Sequence, residues 1–413
     1  MMTRRWHFSP LLLVLSGGAI MGLALGIRHV QGLFLLPLTT AHAWTRADFA
    51  FALALQNLVW GIAQPFTGMV ADRFGSRRVI FAGCLLYGAG LYAMARATTP
   101  GEFALSAGLV IGVALSCTSF GAIYGALSRM LPPERRAWGL ALAGAAGGLG
   151  QFVSVPAAQN ALAALGAQGA LVLLAVAISC LCVFALPLHD APPVGGAVSA
   201  AADPRPNAPQ SMRATLRAAA GHRDLWMLGI GFLACGFQLA FIATHLPAYL
   251  LDKGLDGRSA MAALAIIAMA NVAGTYVCGL LGAKLSKPKL LAGLYLVRSA
   301  AIALFVLVPL SEATLYAFAF VMGLLWLGTV PLTTGIVSRI FGVQYLSTLF
   351  GFVFLGHQIG SFLGVWLGGV MFDATQSYDA VWLCAIAVGI GAAALHWPIR
   401  EQPAPIMLRA QMA

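Results

Sequence analysis

Apolar residues run through this chain in long blocks separated by short polar breaks, and no block keeps the two-residue alternation of a half-buried strand. A membrane-crossing helix needs about 20 apolar residues in succession. By that measure the blocks predict twelve helices. Six lie near 11–38, 46–70, 79–97, 102–130, 137–163 and 167–188; six more lie near 225–250, 258–283, 289–309, 312–340, 346–372 and 378–398. Within a bilayer only helices and closed barrels satisfy every backbone polar group, and runs without alternation select helices. The expected fold is therefore all-α, with twelve transmembrane helices in two six-helix bundles, residues 1–188 and 223–413. Residues 189–222 between them are rich in Ala, Pro, Gly and Arg and are expected to be a linker. Arg4 and Arg5 precede the first apolar run as they would in a signal peptide. That run is much longer than a signal peptide's core of about 7–15 residues, so it is expected to stay as the first spanning helix.

Composition agrees with the pattern. Of the 413 residues 60% are hydrophobic and 9% charged, against roughly 25% charged in a soluble domain. That much apolar surface has to face lipid. The net charge of +11 raises the question of a nucleic-acid partner, and its distribution answers it. Eighteen of the 24 Lys and Arg fall at the termini, in the linker or in loops on the same side, and only Arg46, Arg96, Lys253 and Arg258 fall on the other. The positive-inside rule then places both termini and the linker in the cytoplasm of a multi-pass inner-membrane protein, with no nucleic-acid partner expected. All seven cysteines sit in apolar segments without zinc-site spacing. Neither metal nor cofactor is expected. With no nucleophile arrangement or phosphate loop, enzymatic chemistry has no support.

Two stretches repeat across the halves. Gly68, Asp72, Arg73, Gly75, Arg77 and Arg78 join helices two and three; Gly279, Ala283, Lys284, Lys287 and Lys289 join helices eight and nine, 211 residues on. Ser128 and Arg129 recur as Ser338 and Arg339 at an offset of 210. Two matches at nearly one offset indicate a duplicated six-helix unit, the usual framework for alternating access.

The first of these loops resembles the signature loop of the major facilitator superfamily, and with twelve spans the resemblance covers the whole chain. It implies a cytoplasmic gate in which Gly68 and Gly75 shape the loop and Asp72 pairs with Arg73, Arg77 or Arg129, bonds that can break as the halves rock. Ala283 stands where the second copy would have its acid. Arg28, His29, Gln31, Gly32 and Pro37 in helix one, with His357 and Gln358 in helix eleven, resemble bacterial relatives of the monocarboxylate and oxalate/formate porters. Animal monocarboxylate transporters carry an Asp and an Arg on helix eight where this chain has Asn271 and Thr275.

Polar groups at membrane depth supply the candidate chemistry. None of the thirteen acidic residues lies in the middle of a predicted span, whereas Arg28 and Arg298 do. An arginine there costs about 2.5–3.5 kcal/mol on insertion scales, so it is expected to face a partner or a wet cavity. Arg28 and Gln31 are three residues apart and share a helical face. Arg28 without a spanning carboxylate suits bidentate binding of a substrate carboxylate; a structural arginine bonded to backbone carbonyls is the alternative. Arg298, on a peripheral helix, is equally suited to a structural role. His245 shares a face with Gln238 and Tyr249, and His29, His245 and His357 are the groups able to carry a proton near neutral pH. The expected substrate contacts are thus Arg28, Gln31, Gln238, His245, His357 and Arg298. The expected function is secondary transport of a small organic anion by a monomer, coupled to protons or operating by exchange. Amphiphile efflux on the same fold and a non-transporting receptor are the alternatives.

Overall fold

The structure, a computed structural model, describes residues 9–189, 212–342 and 346–404. Every described element is a helix. Helix α1 spans Pro10–His42, α2 Arg46–Phe74, α3 Ser76–Arg96 and α4 Pro100–Met130. One continuous helix, Pro133–Cys180, bends at Gly166, whose φ of +67° no ordinary helical residue adopts; it divides into α5 (133–165) and α6 (167–180). After the linker come α7 (Arg223–Asp252), α8 (Gly257–Lys284), α9 (Lys287–Leu307), α10 (Glu312–Phe341), α11 (Leu346–Thr375) and α12 (Asp379–His396). Twelve crossings result, with bounds close to those expected. The centre of the expected linker, residues 190–211, lies outside the described residues.

Helix starts follow local chemistry. Ser9 caps α1 ahead of Pro10, and α2 and α4 open on capping boxes, Thr45 with Asp48 and Thr99 with Glu102. Asp256 caps α8 by accepting from the N–H and hydroxyl of Ser259, bonds that hold its carboxyl below the usual carboxylate range. Both halves bring their first and fifth helices into backbone contact through glycine. Gly22 meets Gly150 where α1 crosses α5, and Gly356, Gly360 and Gly364 of α11 lie on the Gly229, Leu233 and Phe237 carbonyls of α7. The same pairing in each half matches the duplication read from the loops.

Three helices are less regular than their apolar runs predict. Helix α1 tightens into a 3-10 turn at Gln31–Phe34, α4 breaks at the extended residue Ser119, and α10 breaks between Leu324 and Thr329. Broken helices inside a membrane need their freed backbone groups satisfied by protein. At the α10 break Asn271 accepts from the Leu327 N–H at 3.0 Å, and Arg298 donates to the carbonyls of Leu325 and Trp326.

The halves meet along α2 against α11, α5 against α8, and α1 against α7. At the end opposite the termini they are clamped. Arg46 of α2 grips Asp252 of α7 through two bonds of 2.6 and 2.8 Å, donates to the Tyr378 hydroxyl at 3.0 Å, and lies over the Phe372 ring at 3.8 Å. Asp373 of α11 accepts from the Ala47 N–H at 2.8 Å. At the terminal end a strap of residues 397–404 crosses the second half. The Arg400 N–H bonds Asp224, Lys287 pairs with Glu401 at 2.9 Å, and the Ala404 N–H caps the Ile340 carbonyl.

Candidate functional site

Arg28 sits where α1 approaches α2 and α7. One guanidinium nitrogen donates to Asn57 Oδ1 at 2.6 Å. Asn57 in turn donates from Nδ2 to the Leu53 carbonyl at 2.8 Å, which turns its oxygen toward the arginine. The Trp60 ring lies 5.3 Å from the guanidinium carbon, a cation–π distance. Trp60 is itself pinned by bonds from its indole N–H to Gln64 and to Ser119, so the irregular point in α4 supports the arginine's platform. Asn57, Gln56, Gln31 and Trp60 are all buried.

These residues enclose a small polar space lined by Arg28, Gln31, Gln56 and Asn57 on one side and by Ala240, Ala243 and Thr244 of α7 on the other. Its free volume is ≈ 10 Å³, about one water molecule. Two buried donors in its wall, Arg28 Nε and Gln31 Nε2, have no hydrogen-bond partner among the described residues. A buried donor without an acceptor loses about 1–3 kcal/mol, more when charged. A hydrogen-bond-accepting group, neutral or anionic, would satisfy both donors.

His29 points around α1 from its neighbour. Its Nε2 lies 3.2 Å from the Leu264 carbonyl of α8, and its ring meets Trp326 of α10 edge-on at 6.1 Å. Both contacts cross between the halves. Immediately after it, the 3-10 turn brings Gly32 against the Ala243 and Thr244 carbonyls, an approach with no room for a Cβ.

The remaining predicted contacts are not brought to this space, which corrects the expected clustering. Gln238, His245 and Tyr249 do share one face of α7, but that face turns into the second half, toward α12 and α11. Gln238 donates to the Ala385 carbonyl at 2.8 Å, and His245 Nε2 bonds the Val365 carbonyl at 2.8 Å beside Tyr378 and Phe241. The small residues Ala240, Ala243 and Thr244 are what α7 offers to α1. Arg298 is fully buried among its carbonyls and Gln238 Oε1, bracing the α10 break. Arg298→Met is accordingly expected to lower stability in detergent by about 3 kcal/mol, because two main-chain carbonyls lose their donor. A melt indistinguishable from the parent protein's would contradict the brace. His357 is held by Gln358 and Ser361, each at 3.4 Å, and stacks on Phe354, which meets the Trp60 ring edge-on. It reaches Arg28 only through two rings.

At the expected gate Gly75 adopts φ +91°, the sharp joint between α2 and α3, and Arg129 donates to Ser76 Oγ at 2.6 Å. Arg77 is half-buried, and a Cβ on Gly68 would meet nothing within 4 Å. The side chains of Asp72 and Arg73 lie outside the described residues. Asn57, Gln56, Trp60 and Thr244 were not among the predicted site residues. The signal that finds the first two is the one used for Arg28, a polar side chain at membrane depth that needs a partner.

A family model described as Major Facilitator Superfamily matches residues 14–364. The chain is 24% identical over 377 residues to the uncharacterized MFS-type transporter YcxA of Bacillus subtilis, covering 87% of this chain and 88% of that protein. It is 29% identical over 381 residues to human monocarboxylate transporter 11, covering 88% and 77%. Its fold superposes with a TM-score of 0.74, at 13% identity and 100% coverage of both chains, on a bacterial homologue of the human lysosomal transporter Spinster, a structure described as inward-facing and unoccupied. Twelve crossings in two duplicated bundles, a polar space between them and a family match across most of the length lead to one conclusion: the chain belongs to the Major Facilitator Superfamily and is a membrane transporter, not an enzyme.

Proposed function

We propose that this transporter carries a small monocarboxylate by alternating access, with Arg28 receiving the carboxylate. The observation that carries the proposal is a cation between the halves whose bonded neighbour is the neutral amide of Asn57 and whose Nε is left for another acceptor. One guanidinium balances one carboxylate. A dianion would bring an unpaired charge into a dry site, where it is strongly disfavoured. Gln31 Nε2 and the Thr244 hydroxyl offer neutral bonds to the rest of a small molecule. Relatives named monocarboxylate transporters support the same chemical class.

His29 is the proposed proton carrier among the three histidines, because its ring bond joins the halves and must break when they part. Gln238, His245, His357 and Arg298 then act on transport through the packing of the second half. The charge distribution supports cytoplasmic termini in a plasma membrane, which puts the Arg46 clamp on the outer face and the loop of Asp72, Arg73, Arg77 and Arg129 on the inner one as its counterpart gate. The protein is proposed to act as a monomer.

Uptake of labelled short monocarboxylates into proteoliposomes, driven by an inward proton gradient, tests the proposal. Accumulation is expected in the parent protein, and its dependence on the gradient is expected to vanish in His29→Gln. Transport restricted to neutral or cationic amphiphiles would overturn the substrate class. Gradient-driven uptake unchanged in His29→Gln would overturn the coupling alone.

A further inference from the structure

An open cleft lies away from the central site, on the outer flank of the second half. It occupies ≈ 240 Å³ between α8, α9 and α10, and is walled by Cys278, Leu281, Gly293, Val297, Leu325 and Leu332, with Lys289 at its terminal end. Leu280, Leu281, Leu285, Leu296 and Val297 around it are exposed, as a lipid-facing surface requires. A Cβ on Gly293 would meet nothing within 4 Å, so the glycine floors an open channel.

Depth and charge indicate what fits. From Lys289 to Val297 is eight helical residues, about 12 Å at 1.5 Å per residue. Half of the roughly 30 Å hydrocarbon core is about 15 Å. The cleft therefore runs from the headgroup level of one leaflet nearly to mid-membrane, as an acyl chain does. At its mouth the cations are only partly answered. Lys287 is taken by Glu401, while no carboxylate of the described residues pairs with the exposed Lys289. Ala283 stands where the first copy of this loop carries Asp72, so the second copy keeps an excess of positive charge.

We infer that this cleft is a binding site for an anionic phospholipid, with its phosphate at Lys289 and one acyl chain along Gly293 and Val297. Basic pockets between membrane helices recognise anionic headgroups in this way. Leu325 lies in the α10 break and Leu332 one turn beyond it, and Trp326 of the break touches His29. A chain in the cleft thus packs on the helix that meets the other half, and its occupancy supports α10 in the arrangement seen here.

Native mass spectrometry of the full-length protein, released from nanodiscs of phosphatidylcholine with one-third phosphatidylglycerol, tests the site independently of any transported substrate. Retention of phosphatidylglycerol above its share is expected for the parent protein. A drop of about fivefold is expected in Lys289→Ala, a loss of the adduct in Gly293→Phe, and no change in Lys253→Ala at the opposite end. Equal retention of the two lipids by the parent protein, or equal phosphatidylglycerol retention in Lys289→Ala and the parent, would overturn the inference. So would a loss in Lys253→Ala as large as that in Lys289→Ala. Lys289→Ala is an exposed substitution, so the result stands even if Gly293→Phe fails to fold.

Discussion

Arg28→Ala is expected to reduce carboxylate affinity by about 100-fold or more while leaving a folded, monodisperse protein. The two bonds that a guanidinium makes to a carboxylate are each worth about 1.5–3 kcal/mol, and every 1.4 kcal/mol is a factor of ten. The fold should survive because the arginine's bonded partner is Asn57, which retains its own bond to the Leu53 carbonyl once the arginine is gone. Asn57→Asp is the sharper companion. It supplies a carboxylate to Arg28 and gives up the amide's bond to the Leu53 carbonyl, so the site becomes neutral and anion binding should fall as far as in Arg28→Ala. Equal carboxylate affinity in parent, Arg28→Ala and Asn57→Asp proteins would remove the arginine from the substrate.

Gly32→Val is expected to carry the second-largest effect, and it acts on the transport cycle rather than on binding. The 3-10 turn of α1 is pressed against the Ala243 and Thr244 carbonyls, and a side chain cannot enter there without prising α1 from α7. Overpacking of this kind disfavours the closed arrangement by about 1–3 kcal/mol, or up to roughly 100-fold in population. The transport rate should fall by about that factor, since the cycle must pass through closure on both sides. A cysteine introduced at Thr244 should label faster in the Gly32→Val background than in the parent. Unchanged labelling with unchanged transport would show that α1 and α7 do not need this contact.

The twelve crossings were legible because lipid imposes length and apolarity on each of them, and one matching loop within each half kept the imprint of duplication. The breaks were less so. Gly32 and the Trp326, Leu327, Gly328 stretch sit inside runs as apolar as any helix, and only the α10 break is marked, by the groups that rescue its backbone, Asn271 and Arg298. Arg298 illustrates the limit: its depth announced a required partner, but that partner was two carbonyls exposed by a break in another helix. For α7 the sequence told which residues share a face and not which neighbour that face meets. Gln238 and His245 are polar, yet Gln238 bonds the Ala385 carbonyl and Arg298 and His245 sits in an aromatic layer with Phe241, Tyr378 and Trp382, while the small residues Ala240, Ala243 and Thr244 face the other half. Close approach between moving bundles selects small side chains, so the plain face of α7 borders the site. Arg28 and Gln31 were recoverable because both lie on one short stretch of α1. Asn57 carries the same mark of a polar side chain at membrane depth, but its pairing with Arg28 was not readable, because it lies on another helix and only packing brings it there.

The most direct test of the account is a titration of the purified protein with a short monocarboxylate and with the amide of the same acid, followed by tryptophan fluorescence. Trp60 lies against the Arg28 guanidinium and should report occupancy. The account predicts saturable binding of the acid, at least about 100-fold weaker binding of the uncharged amide, and loss of that discrimination in Arg28→Ala. Equal binding of acid and amide, or acid binding that persists undiminished without Arg28, would contradict it.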